Sequence, residues 1–69
     1  MSSDMDFFIY LLESYAQAKG LSAAAVLRRW DELGISDAIF NNYWIYHTEA
    51  LENAFEDIDS LTATGKTAW

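Results

Sequence analysis

The chain has 69 residues, room for one domain and one core, and eleven acids against four basic residues give it a formal charge of −7. That sign opposes phosphate backbones and anionic headgroups, and the lack of cysteine excludes disulfides and thiolate metal sites. A chain this short buries only about 60% of the surface its unfolded form exposes, so 52% hydrophobic and 16% aromatic content is rich enough to leave some apolar surface for a partner.

No proline and only three glycines (Gly20, Gly34 and Gly65) predict an all-α chain, because the turn punctuation of a β protein is missing. From Asp4 to Lys19, the residues Phe8, Leu11, Leu12 and Tyr15 follow the i, i+3, i+4, i+7 spacing of one helix face. Ser3 or Asp4 is available as N-cap, and Lys19 sits near the C-terminal dipole. Phe7, Ile9 and Tyr10 widen this stripe beyond what one buried face needs. After Gly20, Ser22 is expected to cap a second helix, with Leu21 stapled against Val26. Ala24, Leu27, Trp30 and Leu33 continue it and Gly34 ends it. The same grammar recurs at Ile35-Ser36, where Ser36 is expected to cap and Ile35 to staple against Phe40.

A third helix is expected from Asp37 to Tyr43 or Tyr46, with a bend at the poor helix formers Asn41 and Asn42. Thr48 is the expected N-cap of a fourth, whose buried stripe is Leu51, Ala54, Phe55, Ile58 and Leu61. The domain is thus placed at residues 1–61, and the tail 62–69 is expected to fray, with Trp69 as a docking candidate. The sum is a bundle of four short helices. Its core is expected to comprise Phe8, Leu11, Leu12, Tyr15, Leu21, Val26, Leu27, Trp30, Leu33, Ile39, Phe40, Tyr43, Leu51, Phe55 and Ile58. The acidic start lacks the basic segment of a signal peptide, and the longest apolar run, Phe7 to Leu12, is too short to span a bilayer. A soluble protein in a reducing cytoplasm is the expectation.

Few residues point to chemistry. His47 is the single histidine and has neither cysteine nor a second imidazole to complete a zinc set, so it is read as packing in an aromatic cluster or bonding a helix end. Gly65-Lys66-Thr67 echoes the end of a phosphate loop, but position 60 is Ser60 where that motif needs glycine. Glu56 and Asp57 are adjacent on a helix, about 100° apart, and do not face one substrate together. Catalytic, cofactor and metal residues are therefore all read as none. Ala16, Gly20, Leu21 and Val26 have helix-turn-helix spacing, which makes a DNA-binding regulator the alternative reading, although only Arg28 and Arg29 on its would-be recognition helix can meet phosphates. Glu49, Glu52, Glu56 and Asp59 recur at three- and four-residue steps and stack like charge along one ridge, the candidate partner-binding surface.

Three blocks carry a resemblance: Phe8-Ile9-Tyr10 through Tyr15-Ala16-Gln17-Ala18-Lys19-Gly20-Leu21-Ser22, then Asn42-Tyr43, then His47-Thr48 with Glu52 and Glu56-Asp57-Ile58. Together they resemble a family of short, acidic, all-helical bacterial proteins catalogued as a domain of unknown function. The resemblance implies no enzymatic activity and no cofactor. It implies an accessory or antitoxin-like partner of a larger protein, with ADP-ribosyltransferase-like proteins among the neighbours. The expected function is accordingly a non-enzymatic acidic module that binds a larger basic protein, with self-association as a homodimer through the surplus aromatics of the first or third helix.

Overall fold

The computed structural model describes residues 3–64. Among them there are five helices and no strand: α1 (Ser3–Lys19), α2 (Ala23–Leu33), α3 (Ile35–Asn41), α4 (Tyr43–Thr48) and α5 (Leu51–Thr64). The radius of gyration, 10.9 Å, is what a well-packed chain of this length should show, about 11 Å.

Two glycines turn the chain. Gly20 and Gly34 have φ of +71° and +73°, the left-handed region that glycine enters without a Cβ penalty. At the end of α1 the Gly20 N–H donates to Gln17 at 3.2 Å and the Leu21 N–H to Ala16 at 2.9 Å, the paired bonds of a Schellman ending. Ser22 then caps α2, its Oγ accepting from the Ala25 N–H at 3.1 Å. The next junction is tighter. Gly34 alone ends α2 and leads into α3, which starts at Ile35, so Ser36 falls inside the first turn and its hydroxyl donates to Asp31 Oδ1 at 2.7 Å instead of capping.

The expected bend at Asn41-Asn42 is a full break. Asn42 leaves helical geometry (φ −116°, ψ 32°), closes α3 with its N–H and its Nδ2 on the Ala38 carbonyl, and offers its own carbonyl to Ile45 and Tyr46 to start α4. One expected helix thus becomes two. Thr48 is a correction: it is the last residue of α4 and donates its hydroxyl backwards, to Trp44 O at 2.7 Å and Ile45 O at 3.2 Å. The Ala50 carbonyl receives the first backbone bonds of α5, from Asn53 and Ala54. At its other end α5 runs three residues past the expected boundary, with Thr62 and Thr64 hydroxyls donating to Ile58 O and Ser60 O. Trp69 and the Gly65-Lys66-Thr67 echo lie outside the described residues.

Packing explains the order of the elements. Five rings pass through the centre from four helices: Phe40 stacks on Phe8 at 4.7 Å, Phe8 meets Trp30 edge-on at 5.7 Å, Trp30 meets Tyr15 at 5.6 Å, and Tyr15 meets Phe55 at 5.4 Å. Each such contact adds about 0.5–1.5 kcal/mol to the area it buries. Leu11, Leu12, Val26, Ile39 and Ile58 fill the space around them. Three expected core residues do not join: Leu21, Leu33 and Tyr43, the last half-buried on α4 outside the core cluster. Leu21 is 56% exposed, because the Schellman turn leaves it on the outside of the α1–α2 corner, and Leu33 is 41% exposed, because the left-handed Gly34 shifts the phase and puts Ile35 into the core in its place. Ala54 is buried as its helix stripe predicts, whereas Ala16, Tyr46 and the charged Asp57 are buried without having been expected there.

Candidate interaction surface

α4 is short, and its helical period sorts four aromatic side chains onto three sides. Tyr46 points inward and is 1% exposed. Tyr43 and His47, four residues apart, lie ring on ring at 4.3 Å with only 2° between their planes. His47 Nδ1 lies 2.9 Å from the Tyr43 carbonyl, and because a carbonyl only accepts, Nδ1 carries the proton in that bond. Trp44 points outward, 75% exposed, with its ring edge-on to His47 at 4.9 Å and to Tyr43 at 6.2 Å. From α1, Phe7 closes the group against Tyr43 at 5.8 Å and His47 at 6.4 Å. The result is a face of four rings spanning α1 and α4, with Tyr10 exposed one turn further along α1.

The four acids expected to form one ridge do not share a helix face. Glu49 precedes α5 as the residue closing α4. Its carboxyl turns inward to Asp57, and burial, the Asp57 hydrogen bond and the Asp57 charge, in that order, push it above the usual carboxylate range. Glu52 and Glu56 remain on the exposed side of α5. Asp59 is engaged: its Oδ1 accepts from the Tyr15 hydroxyl at 2.6 Å and its Oδ2 pairs with Lys19 Nζ at 3.0 Å. Partial burial acts to raise this carboxyl, but the bonds from Tyr15 and Lys19 and the Lys19 charge outweigh it and hold it below its ordinary value. In return Tyr15 is raised, by burial first and then by Asp59, while Lys19 also lies 5.3 Å over the Tyr15 ring. The Asp59 end of the ridge is therefore a clasp between α1 and α5.

An apolar cleft of about 350 Å³ opens beside this clasp, floored by Tyr15, Val26 and Trp30 and rimmed by Leu21 and Arg29. Among the described residues no three His, Cys, Asp or Glu side chains are grouped to hold a metal ion, and no helix is long and apolar enough to cross a membrane.

A family model described as "Protein of unknown function (DUF3791)" matches residues 6–64. The chain belongs to the DUF3791 family. The match takes in all five helices, from the first turn of α1 to the last residue of α5, so the ring face and the clasp both lie inside the DUF3791 domain. No curated protein and no solved structure matches the chain.

Proposed function

We propose that this DUF3791 protein is a non-enzymatic, acidic interaction module of the cytoplasm, an accessory or antitoxin-like partner that docks on a larger basic protein through the ring face of α1 and α4. The observation that carries the reading is Trp44. A tryptophan 75% exposed contributes little to folding, yet here it stands on a preformed platform of Tyr43, His47 and Phe7. Ordered rings lose little entropy on binding, and tryptophan and tyrosine are the side chains most often found at the energetic centre of interfaces. Charge supplies the partner's sign: a protein at −7 steers basic surfaces toward itself, and an arginine or lysine is attracted to the exposed face of an indole. Glu52 and Glu56 extend the acidic surroundings along α5. An ADP-ribosyltransferase-like enzyme is the kind of partner the proposal favours. The same ring face is the route to a homodimer. The net charge weighs against the alternative of a DNA regulator, since α2 sets Asp31 and Glu32 beside Arg28 and Arg29.

The test is quantitative binding to the partner captured from the native host, comparing wild type with Trp44→Ala and with Glu52→Lys plus Glu56→Lys. Loss of a central tryptophan should cost about 2 kcal/mol or more, roughly thirtyfold in Kd, while the fold stays intact by circular dichroism. Charge reversal should weaken binding of a basic partner and flatten the loss with salt that the wild type shows. Unchanged Kd in both variants, or a monomer at every concentration with no captured partner, sinks the proposal. A gel shift with random duplex at low salt would move the reading to DNA binding.

A further inference from the structure

The apolar cleft beside the α1–α5 clasp is used by neither the ring face nor the acidic side of α5. Its floor is aromatic and aliphatic, and Tyr15, Val26 and Trp30 there are each at least nine-tenths buried. Small side chains keep its mouth open. Ala25 on α2 has only a methyl group to offer, and Thr62 on α5 turns its hydroxyl back to Ile58 O, so neither fills the space between the helices. Leu21 completes the wall at the α1–α2 corner, where the Schellman turn holds it out of the core and at the edge of an apolar hollow. The volume of about 350 Å³ is about a dozen times the ~30 Å³ share of one liquid water, at the small end of ligand-holding clefts, about 300–1,000 Å³.

Arg29 gives this cleft a charge. It stands on the rim and makes no ion pair among the described residues. Acids of the adjoining elements are engaged elsewhere: Asp31 accepts from the Ser36 hydroxyl at 2.7 Å, and Asp59 in the clasp holds Tyr15 and Lys19. An unpaired guanidinium above apolar walls attracts an anion more strongly than one in bulk water, because the walls displace part of the solvent. Its planar fork matches the two oxygens of a carboxylate. The net charge of −7 limits the choice, since it repels a dianionic phosphate about twice as strongly as a monoanion.

We propose that the cleft binds a small hydrophobic monocarboxylate, an aliphatic or aryl acid of about a dozen non-hydrogen atoms, with its apolar body on Tyr15, Val26 and Trp30 and its carboxylate on Arg29. The site is separate from the ring face. Tyr15 follows Phe7 by two turns of α1, about 12 Å of helix rise, so a bound acid leaves Trp44 exposed.

Titration of the whole chain with sodium octanoate, followed by amide and indole NMR shifts, tests this. Saturable shifts should centre on Tyr15, Val26 and Trp30, while the Trp44 indole signal stays in place. Octanol has the same body without the charge and should bind about tenfold more weakly, the low end of what a charged hydrogen bond contributes. Octyl phosphate should also bind more weakly than octanoate. Arg29→Gln should remove the preference for octanoate and leave octanol binding as it was. Ala25→Leu fills the mouth from an exposed position, so it should abolish binding of both ligands with the fold intact by circular dichroism. No saturable shift with octanoate, equal affinity for octanol in the wild type, tighter binding of octyl phosphate, or binding that survives Ala25→Leu overturns the proposal. Shifts at the cleft that depend on protein concentration without ligand would give it to a second copy of the chain and overturn it as well.

Discussion

Replacing Tyr15 by Phe deletes one oxygen from the clasp and leaves the ring in place against Trp30 and Phe55 and beneath Lys19. What is lost is a 2.6 Å hydrogen bond to Asp59, 44 positions away, that ties α1 to α5. A hydrogen bond to a charged group contributes about 1.5–3 kcal/mol net. The lower end applies here, since the Asp59 side chain is 47% exposed and keeps Lys19 as a partner. Tyr15→Phe should therefore cost about 1.5 kcal/mol, which for a chain of this size lowers Tm by about 6–12 °C. Thermal unfolding followed by circular dichroism at pH 7 measures it. The pH series adds a sign: the Asp59 carboxyl is held below its unfolded value, so its contribution is present above that value and is lost as pH falls through the folded one. The gap between wild type and Tyr15→Phe should thus narrow in acid. A shift under about 2 °C at pH 7, or a gap that is constant down to the acid limit, refutes the clasp as a stabilising contact.

Two further substitutions probe the turns. Gly34→Ala places a Cβ that meets nothing within 4 Å, so only the left-handed backbone at φ +73° opposes it, and urea unfolding should show a loss of about 1 kcal/mol with unchanged m-value. A loss above about 3 kcal/mol would mean the residue is hemmed in. Ser22→Ala removes the cap of α2 and should cost about 1 kcal/mol, with Ser22→Asp restoring most of it; equal stability of the Ala and Asp variants would remove the cap from the account.

Much of the fold was legible because its signals are local. Gly20, Ser22 and Gly34 act through their own backbone or hydroxyl within a few residues, so their roles follow from spacing alone. The start of α3 was misread because a single left-handed residue serves both helices, which moves the buried aliphatic from Leu33 to Ile35 and leaves Ser36 nothing to cap. Thr48 has the side chain of an N-cap, but whether such a hydroxyl bonds forwards or backwards is settled by where the next helix packs. That misplaced boundary put Glu49 on the last helix and hid the burial of its Oε1 at the α4–α5 junction. Asp57 did leave a trace: it stands on the face of α5 marked by Ala54, Ile58 and Leu61, an acid at an apolar position. The ring face was half visible, as an aromatic cluster around His47, but the contribution of Phe7 depends on α1 lying beside α4, which no local pattern encodes.

The connections between helices are three residues, one, one and two residues long. With so little slack, most partners in the folded state are also near neighbours along the chain, and such topologies fold on the order of microseconds to milliseconds. The Tyr15 and Lys19 bonds to Asp59 span 44 and 40 positions and so require the longest loop to close. Helical corners at Gly20 and Gly34 can form early, whereas the clasp belongs to the last step, when α5 returns to α1. Substitutions at Asp59 should then register chiefly in the unfolding rate, and those at the glycine corners in the folding rate.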